Sequence, residues 1–159
     1  RKGVHEMIQM AQGGVKKVIA ARISPGENVM EGLKQICEKY NINNGVILSG
    51  IGSLDGLEYL VPVILPDKKA GYGYGAPLHV SDPISVTNIS GMICHDDAGE
   101  TLLHIHISGA DNSGTLRGGH LTDNNKVLLT LDVLIAELDG VEMGRAYDDD
   151  LEVMIFSPR

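Results

Sequence analysis

Three of the chain's six histidines lie between residues 102 and 121, and their spacing is suited to binding a metal ion. His104 and His106 alternate with apolar neighbours, which is the period-two pattern of a strand with one face turned to the core. Both imidazoles should therefore project from the same face of this strand. His120 follows beyond a turn cluster at 111–114, and a returning strand would bring it back beside the other two.

The length of the turn decides whether His120 joins the other two rings. A three-residue loop at 112–114, in which Gly114 supplies a positive φ, is compatible with a tight hairpin. In that register His120 lies directly opposite His106 and diagonal to His104, on one face of the hairpin. The three imidazoles would then converge.

Other registers remain open at this point. The three-residue loop makes Asp111 and Thr115 its flanking pair, whereas a two-residue loop would place His120 on the opposite face. A bulge at 118–119, where two glycines follow each other, would also shift the pairing by one residue. The hairpin geometry is therefore the assumption on which the site depends.

Three converging imidazoles would be close enough to bind one ion. Cross-strand neighbours lie roughly 5 Å apart and diagonal neighbours about 7 to 8 Å apart, and a Zn–N bond is about 2.0 to 2.1 Å long. The pattern predicts a zinc site with His104, His106 and His120 as ligands. The competing interpretation is a strand with two solvent-facing histidines and a third histidine nearby by accident.

Composition indicates one domain without a strong attraction to nucleic acid. The chain has 159 residues, of which 43% are hydrophobic, and this is enough for one core. Its formal charge is −8 and its lysines and arginines are scattered, so direct DNA binding is not expected without a partner. Cys37 and Cys94 form no metal-binding pair, which favours reduced thiols and a cytoplasmic protein. No apolar run approaches the length of a membrane span, so no membrane partner is expected.

The pattern predicts one long helix and several strands. Asn28 is typical of a helix N-cap, with Glu31 completing a capping box, and apolar residues recur at helical spacing from Val29 to Tyr40. Strands are predicted at residues 15–23, 45–49, 57–65, 84–93, 127–137 and 151–156. Short turns join them, so the predicted class is α+β, a mainly antiparallel sheet with one long helix and a central histidine-bearing hairpin. We expect a flexible N-terminal segment at 1–14 and a single domain at 15–159.

Two glycine-rich stretches are compatible with ligand-binding loops, but a structural role is favoured for each. Gly50-Ile51-Gly52 lacks the third glycine and the following helix of a nucleotide-binding loop, so a bulge or a close strand crossing is favoured. Residues 68–78 are expected to form a mobile loop. Tyr72 and Tyr74, flanked by glycines, could close over a ligand, although a plain hairpin loop is the favoured interpretation.

Several motifs of the chain resemble the PPC domain, which occurs in plants and prokaryotes. In plant proteins this domain follows AT-hook DNA-binding segments. The resemblance covers most of the chain from about Val15 and is carried by Pro25-Gly26-Glu27, Ser49-Gly50-Ile51-Gly52-Ser53-Leu54, Ile89-Ser90-Gly91, Leu103-His104-Ile105-His106 and Gly118-Gly119-His120. It implies a homotrimer in which the histidines of the last two motifs bind zinc. The fold also resembles acetolactate decarboxylase, whose zinc is held by an H-x-H pair and a later histidine. The chain lacks the Arg-Gly-Arg-Pro core of an AT-hook, and Ser81-Asp82-Pro83-Ile84-Ser85-Val86 departs from the plant segment that contacts transcription factors.

Two functions are compatible with this site. The first is a stand-alone, homotrimeric zinc-binding module that acts in regulation or binds a small-molecule anion at the metal. The alternative is a zinc-dependent, lyase- or decarboxylase-like enzyme for a small oxo or hydroxy acid, because catalytic zinc keeps an open ligand position. Candidates for an acid, base or charged group near the metal are Glu100, Glu137 and Arg117. His79, His95 and Cys94 are expected to take no part in the site.

Overall fold

The computed structural model describes residues 8–159, which form one long helix and twelve strands. The elements are β1 (Gly14–Ile23), α1 (Val29–Tyr40), β2 (Gly45–Leu54), β3 (Leu57–Leu60), β4 (Pro62–Ile64), β5 (Tyr72–Tyr74), β6 (Leu78–Val80), β7 (Ile84–His95), β8 (Thr101–Ala110), β9 (Leu116–Leu121), β10 (Val127–Asp139), β11 (Met143–Asp148) and β12 (Val153–Pro158). Part of the predicted flexible segment, residues 1–7, lies outside the described residues.

The main sheet has the strand order β1-β10-β2-β7-β8-β9-β3-β6. Strands β11 and β12 pair with each other and join the sheet through a single parallel bridge from Gly144 to His95, while β4 and β5 form a separate two-stranded sheet. Among the described strands, every other pairing is antiparallel. The prediction of an α+β fold with a mainly antiparallel sheet and one long helix is therefore confirmed.

Helix α1 begins and ends where its capping residues predict. The Asn28 side chain accepts a hydrogen bond of 3.0 Å from the backbone N–H of Glu31, and Asn41 ends the helix in the left-handed conformation with φ 51°. The buried face of the helix carries Val29, Met30, Leu33 and Cys37, which join the core formed by one face of the main sheet. This packing leaves the histidine-bearing face free of the helix.

Two sequence predictions about the strands are wrong, and one strand was missed. The predicted strand at 57–65 is two strands in different sheets, and the predicted mobile loop at 68–78 contains β5 and the start of β6. Strand β11 was not predicted at all. Each of β4, β5 and β6 has three residues, too few to show a period of two, and Pro62 lacks the backbone donor of an ordinary strand residue.

A line of paired residues crosses the sheet on the face opposite the helix, which we call the outer face. Val18 on β1 pairs with Ala136, Ala136 with Val46, Val46 with Met92, and Met92 with His104. Directly paired residues project from the same face of a sheet. The outer face therefore runs from exposed apolar side chains on β1 to the histidines on β8. Among the described residues, no helix is long and apolar enough to cross a membrane.

Gly91 is the point at which the pairing of β7 with β8 is most sensitive to added volume. A Cβ on Gly91 would press against the carbonyl oxygen of His104 and would lie 2.9 Å from the Ile105 Cα atom. Because both are backbone atoms, we expect Gly91→Ala to lower the free energy of unfolding by about 1 to 3 kcal/mol, as measured by urea denaturation. The matched control is Gly14→Ala, where no atom lies within 4 Å of the added carbon. Equal stability of the two variants would contradict this account.

Candidate metal centre

The β8–β9 hairpin has the register that the three-residue loop predicts. Asp111 and Thr115 flank the loop, with the Asp111 N–H donating to the Thr115 carbonyl at 3.0 Å, and Gly114 has φ 80°. His106 lies directly opposite His120, and the pairing continues from there to the turn without a shift. The bulge considered at 118–119 is absent from this described hairpin.

The register brings the three imidazoles together. The ring centroids are 5.1 Å apart for His104 and His106, 5.2 Å for His104 and His120, and 5.4 Å for His106 and His120. One ligand atom from each ring lies within 4.8 Å of the others, and the Nε2 atoms of His104 and His106 are 3.3 Å apart. Two nitrogens on a tetrahedral zinc with bonds of about 2.0 to 2.1 Å are separated by roughly 3.3 Å. The separation of the His104 and His106 nitrogens therefore fits a zinc ion, and a donor atom of His120 lies within 4.8 Å of them.

The loop that sets this register is held by one carboxylate. Oδ1 of Asp111 accepts hydrogen bonds from the Ser113 hydroxyl at 2.6 Å, the Ser113 N–H at 3.0 Å and the Thr115 N–H at 2.9 Å. Oδ2 receives the Nε–H of Arg117 at 3.3 Å. The hydrogen bond from the Ser113 hydroxyl contributes most to lowering the pKa of Asp111. Arg117, which the sequence suggested as a charged group for the metal, is thus engaged with the loop.

Two of the three rings favour the neutral form. Burial, with smaller contributions from Arg145, His120 and His106, lowers the pKa of His104 to about 4. Burial, followed by the charges of His106 and Arg145, also lowers the pKa of His120. An imidazole must be unprotonated to bind a metal, so at neutral pH both rings are in the required state.

Tyr74 contacts the site from the short β4–β5 hairpin. Its hydroxyl lies 3.4 Å from Nδ1 of His120, and the two ring centroids are 4.9 Å apart. Both tyrosines of this glycine-rich stretch are exposed, Tyr72 to 61% and Tyr74 to 42%. The phenol oxygen is therefore in position to accept an Nδ1–H from His120, which would leave Nε2 of that ring free for a metal.

Two pairs of strands contact each other: the β4–β5 arm (residues 62–74) and the β11–β12 arm (residues 143–158). The backbone N–H of Lys69 donates to the Glu152 carboxylate at 3.1 Å, and Nζ of Lys69 donates to the Asp149 carbonyl at 3.0 Å. Lys68 and Glu152 form a looser ion pair at 3.9 Å. The acidic turn at residues 148–150 is thus part of the contact between the arms. The β4–β5 arm contributes Tyr74, and the β11–β12 arm contributes Arg145.

Most other titratable residues considered from the sequence have partners of their own. Glu137 forms ion pairs with Lys16 at 3.2 Å and Lys17 at 3.0 Å; its burial opposes ionisation, yet the lysines lower its pKa. Glu100 is exposed in the turn before β8. His79 is exposed and lies 3.4 Å from a Glu58 carboxylate oxygen. Sequence reasoning missed Arg145, because nothing in the pattern marks the strand that carries it.

Both His95 and Cys94 are buried, although His95 was expected at the surface. Only 8% of His95 is exposed; Nδ1 lies 3.1 Å from the Asn43 carbonyl and Nε2 lies 2.9 Å from the Glu142 carboxylate. The expectation fails because β11 covers the end of β7. Cys94 is buried and free, and burial raises the pKa of its thiol.

Comparison with known families now identifies the domain. Residues 10–139 match the model of the Plants and Prokaryotes Conserved (PCC) domain. The chain belongs to this family. This is the plant- and prokaryote-conserved (PPC) family that the sequence motifs resemble, so that prediction is confirmed.

Solved structures share the fold of this PCC domain. A metal-containing protein from Archaeoglobus fulgidus aligns with a TM-score of 0.78 at 21% identity, over 94% of this chain and 99% of that one. A PPC protein from Pyrococcus horikoshii aligns with a TM-score of 0.74 at 22% identity, over 93% and 97%. A proposed DNA-binding protein from Bacteroides thetaiotaomicron aligns with a TM-score of 0.70 at 21% identity, over 91% and 96%.

Curated relatives place a similar segment within longer proteins. Two bifunctional GlmU proteins, from two Synechococcus strains, are 24% identical over 135 residues and 25% identical over 124 residues. These matches cover 85% and 78% of this chain. The chain spans only 19% and 18% of the length of these relatives.

The lowered pKa of His104 predicts how acid affects the metal-free protein. In the unfolded chain His104 takes up a proton below the ordinary histidine pKa of about 6.5, whereas in the folded chain it does so only near pH 4. The free energy of unfolding therefore falls as the pH is lowered from about 6.5 to about 4. In the presence of EDTA, the free energy of unfolding should therefore fall across this window, as measured by urea denaturation. His104→Asn should have a shallower pH dependence than the wild type. Parallel curves for the two proteins would contradict the prediction.

Proposed function

We propose that this PCC domain binds a zinc ion through His104, His106 and His120 and acts as a homotrimeric module that binds a small anion at the metal. The observation that carries the proposal is the convergence of three imidazole donors within 4.8 Å of one another on one rigid hairpin. Two of these rings favour the neutral form that a metal ligand requires. The metal-containing relative from Archaeoglobus fulgidus supports a metal, without naming the element.

The number of ligands favours a site with an open position. Structural zinc sites have four protein ligands, whereas three ligands leave one position for water or an added group. Among residues 8–159, the convergent cluster contains three histidines and no cysteine, aspartate or glutamate. When bound, zinc would supply a Lewis-acidic centre able to bind an anionic oxygen. Tyr74 would orient His120 through the contact at Nδ1.

A zinc-dependent enzyme acting on a small oxo or hydroxy acid is the second candidate. The open position and the nearby Tyr74 hydroxyl favour it, as does the resemblance to acetolactate decarboxylase. Two of the three acid, base or charged groups proposed from the sequence, Glu137 and Arg117, are engaged in ion pairs away from the metal ligands. Binding is therefore the function that the described residues support best.

Association with DNA is not part of the proposal. The formal charge is −8 per chain, and like charges repel a polyanion unless a basic patch is assembled. A segment similar to this chain makes up a small part of the GlmU relatives, which is compatible with a ligand-binding module within a longer protein.

The outer face supports self-association. Five large apolar side chains are exposed there on adjoining strands: Val18 53%, Leu48 52%, Ile51 55%, Leu134 41% and Met92 38%. A contiguous apolar surface of this kind typically marks an interface. Copies of the same chain could cover it in a closed, symmetric trimer, which is the assembly that the family resemblance implies.

Metal content of purified variants tests the zinc site. Replacing His104, His106 or His120 with alanine should remove the ion in each case, because two imidazoles alone hold zinc weakly. The matched control is His79→Ala, which removes an exposed histidine elsewhere on the chain. Zinc content is measured by atomic emission beside circular dichroism spectra of every variant. Equal zinc content in the wild type and His120→Ala would refute the proposed site.

Light scattering tests the trimer. We expect a mass of three chains for the wild type at micromolar concentration, and a monomer for Leu48→Glu or Leu134→Glu, because a buried unpaired carboxylate is costly. Leu151→Glu, on the exposed acidic turn, is the control and should remain trimeric. A monomeric wild type would refute the proposed assembly.

A further inference from the structure

Arg145 lies on the same face as the histidines. Gly144 on β11 is aligned with His95 on β7 in a parallel bridge, so its neighbour Arg145 projects from the face that carries Cys94. Cys94 pairs with Leu102, and Leu102 is followed two residues later on β8 by His104, which shares its face. The strand register thus directs the guanidinium and the imidazoles to one side of the molecule.

The guanidinium of Arg145 has unused hydrogen-bonding capacity. One of its terminal nitrogens donates to the Met154 carbonyl. Its Nε–H is buried without an acceptor, and among residues 8–159 no carboxylate lies within ion-pair distance of it. A partly buried cation with an unsatisfied donor costs free energy until an anion or another acceptor reaches it.

The positive charge of Arg145 lies on the histidine-bearing side of the sheet, where it would oppose a metal ion. Gly144 bridges to His95 on β7, and β7 pairs with the histidine-bearing strand β8, so one strand separates the strand of Arg145 from that of His104 and His106. A fixed positive charge beside a divalent cation is unfavourable by itself. An anion bound between the guanidinium and the metal ion would be attracted by both and would screen their mutual repulsion.

We propose that Arg145 recognises a small carboxylate that occupies the open position of the histidine site. The inference rests on the proposed function and adds to it the recognising residue and the ligand class. The planar guanidinium matches the two oxygens of a carboxylate, so a ligand with one group on the metal and another on Arg145 would be held at two points. Both arms take part, since one carries Arg145 and the other carries Tyr74 against His120.

Oxalate binding to the zinc-loaded protein tests this role by isothermal titration calorimetry. The proteins compared are the wild type, Arg145→Gln, Arg145→Lys and the control Arg22→Gln, which removes an exposed arginine on β1. Loss of a charge-assisted hydrogen bond should raise the Kd of Arg145→Gln roughly 10- to 100-fold. Arg145→Lys should recover part of the affinity, and Arg22→Gln should match the wild type. Inorganic phosphate is titrated as the competing anion.

Zinc content before and after titration distinguishes a failure of the proposed zinc site from a failure of the proposed role of Arg145. A wild type without zinc would refute the proposed function, and the role of Arg145 would fail with it. A zinc-loaded wild type that binds oxalate no more tightly than Arg145→Gln would overturn the present inference alone. Tighter binding of phosphate than of oxalate, with the same dependence on Arg145, would overturn the carboxylate assignment. Should Arg145→Gln fail to fold, the comparison of Arg145→Lys with the wild type decides, and unchanged oxalate affinity would refute the role.

Discussion

The antiparallel pairing of β8 with β9 is the interaction on which the histidine site depends. Because side chains alternate with a period of two, a shift of one residue would turn His120 away from His104 and His106. The Asp111 carboxylate opposes such a shift by binding three donors of the loop and the Arg117 guanidinium. The most important carboxylate for the site is therefore one that holds the turn and lies outside the cluster of histidines.

The rest of the fold supplies the conditions under which this hairpin can act. Helix α1 covers one face of the sheet, which leaves the opposite face available for the imidazoles and for an apolar surface. Partial burial favours the neutral form of His104 and His120, Tyr74 lies beside His120, and Arg145 lies on the same side of the sheet. Three converging imidazoles, a hydroxyl beside His120 and an arginine without a carboxylate partner among the described residues are the features on which the proposed ligand binding depends.

Relatives of this PCC domain include proteins of similar length and much longer proteins. The solved relatives described above share the fold at identities of 21 to 22%, and a similar segment occurs in relatives far longer than this chain. At such distances the fold is shared while the function must be argued from the site. For this chain the argument comes from the histidines and Arg145, since its negative charge offers little to a nucleic acid.

The sequence by itself determined the helix, most of the long strands and the three candidate histidines, and it restricted the hairpin register to a few alternatives. These features arise from local rules: an asparagine cap, a period of two, and a loop whose length sets which residues face each other. The tertiary structure alone decided the roles of residues that reach their partners over long distances. Tyr74 meets His120 across 46 residues. His95 is buried because β11 packs beside it, and a single parallel bridge places Arg145 on the histidine-bearing side of the sheet. Such contacts depend on how separate elements pack, and no local spacing in the chain encodes them.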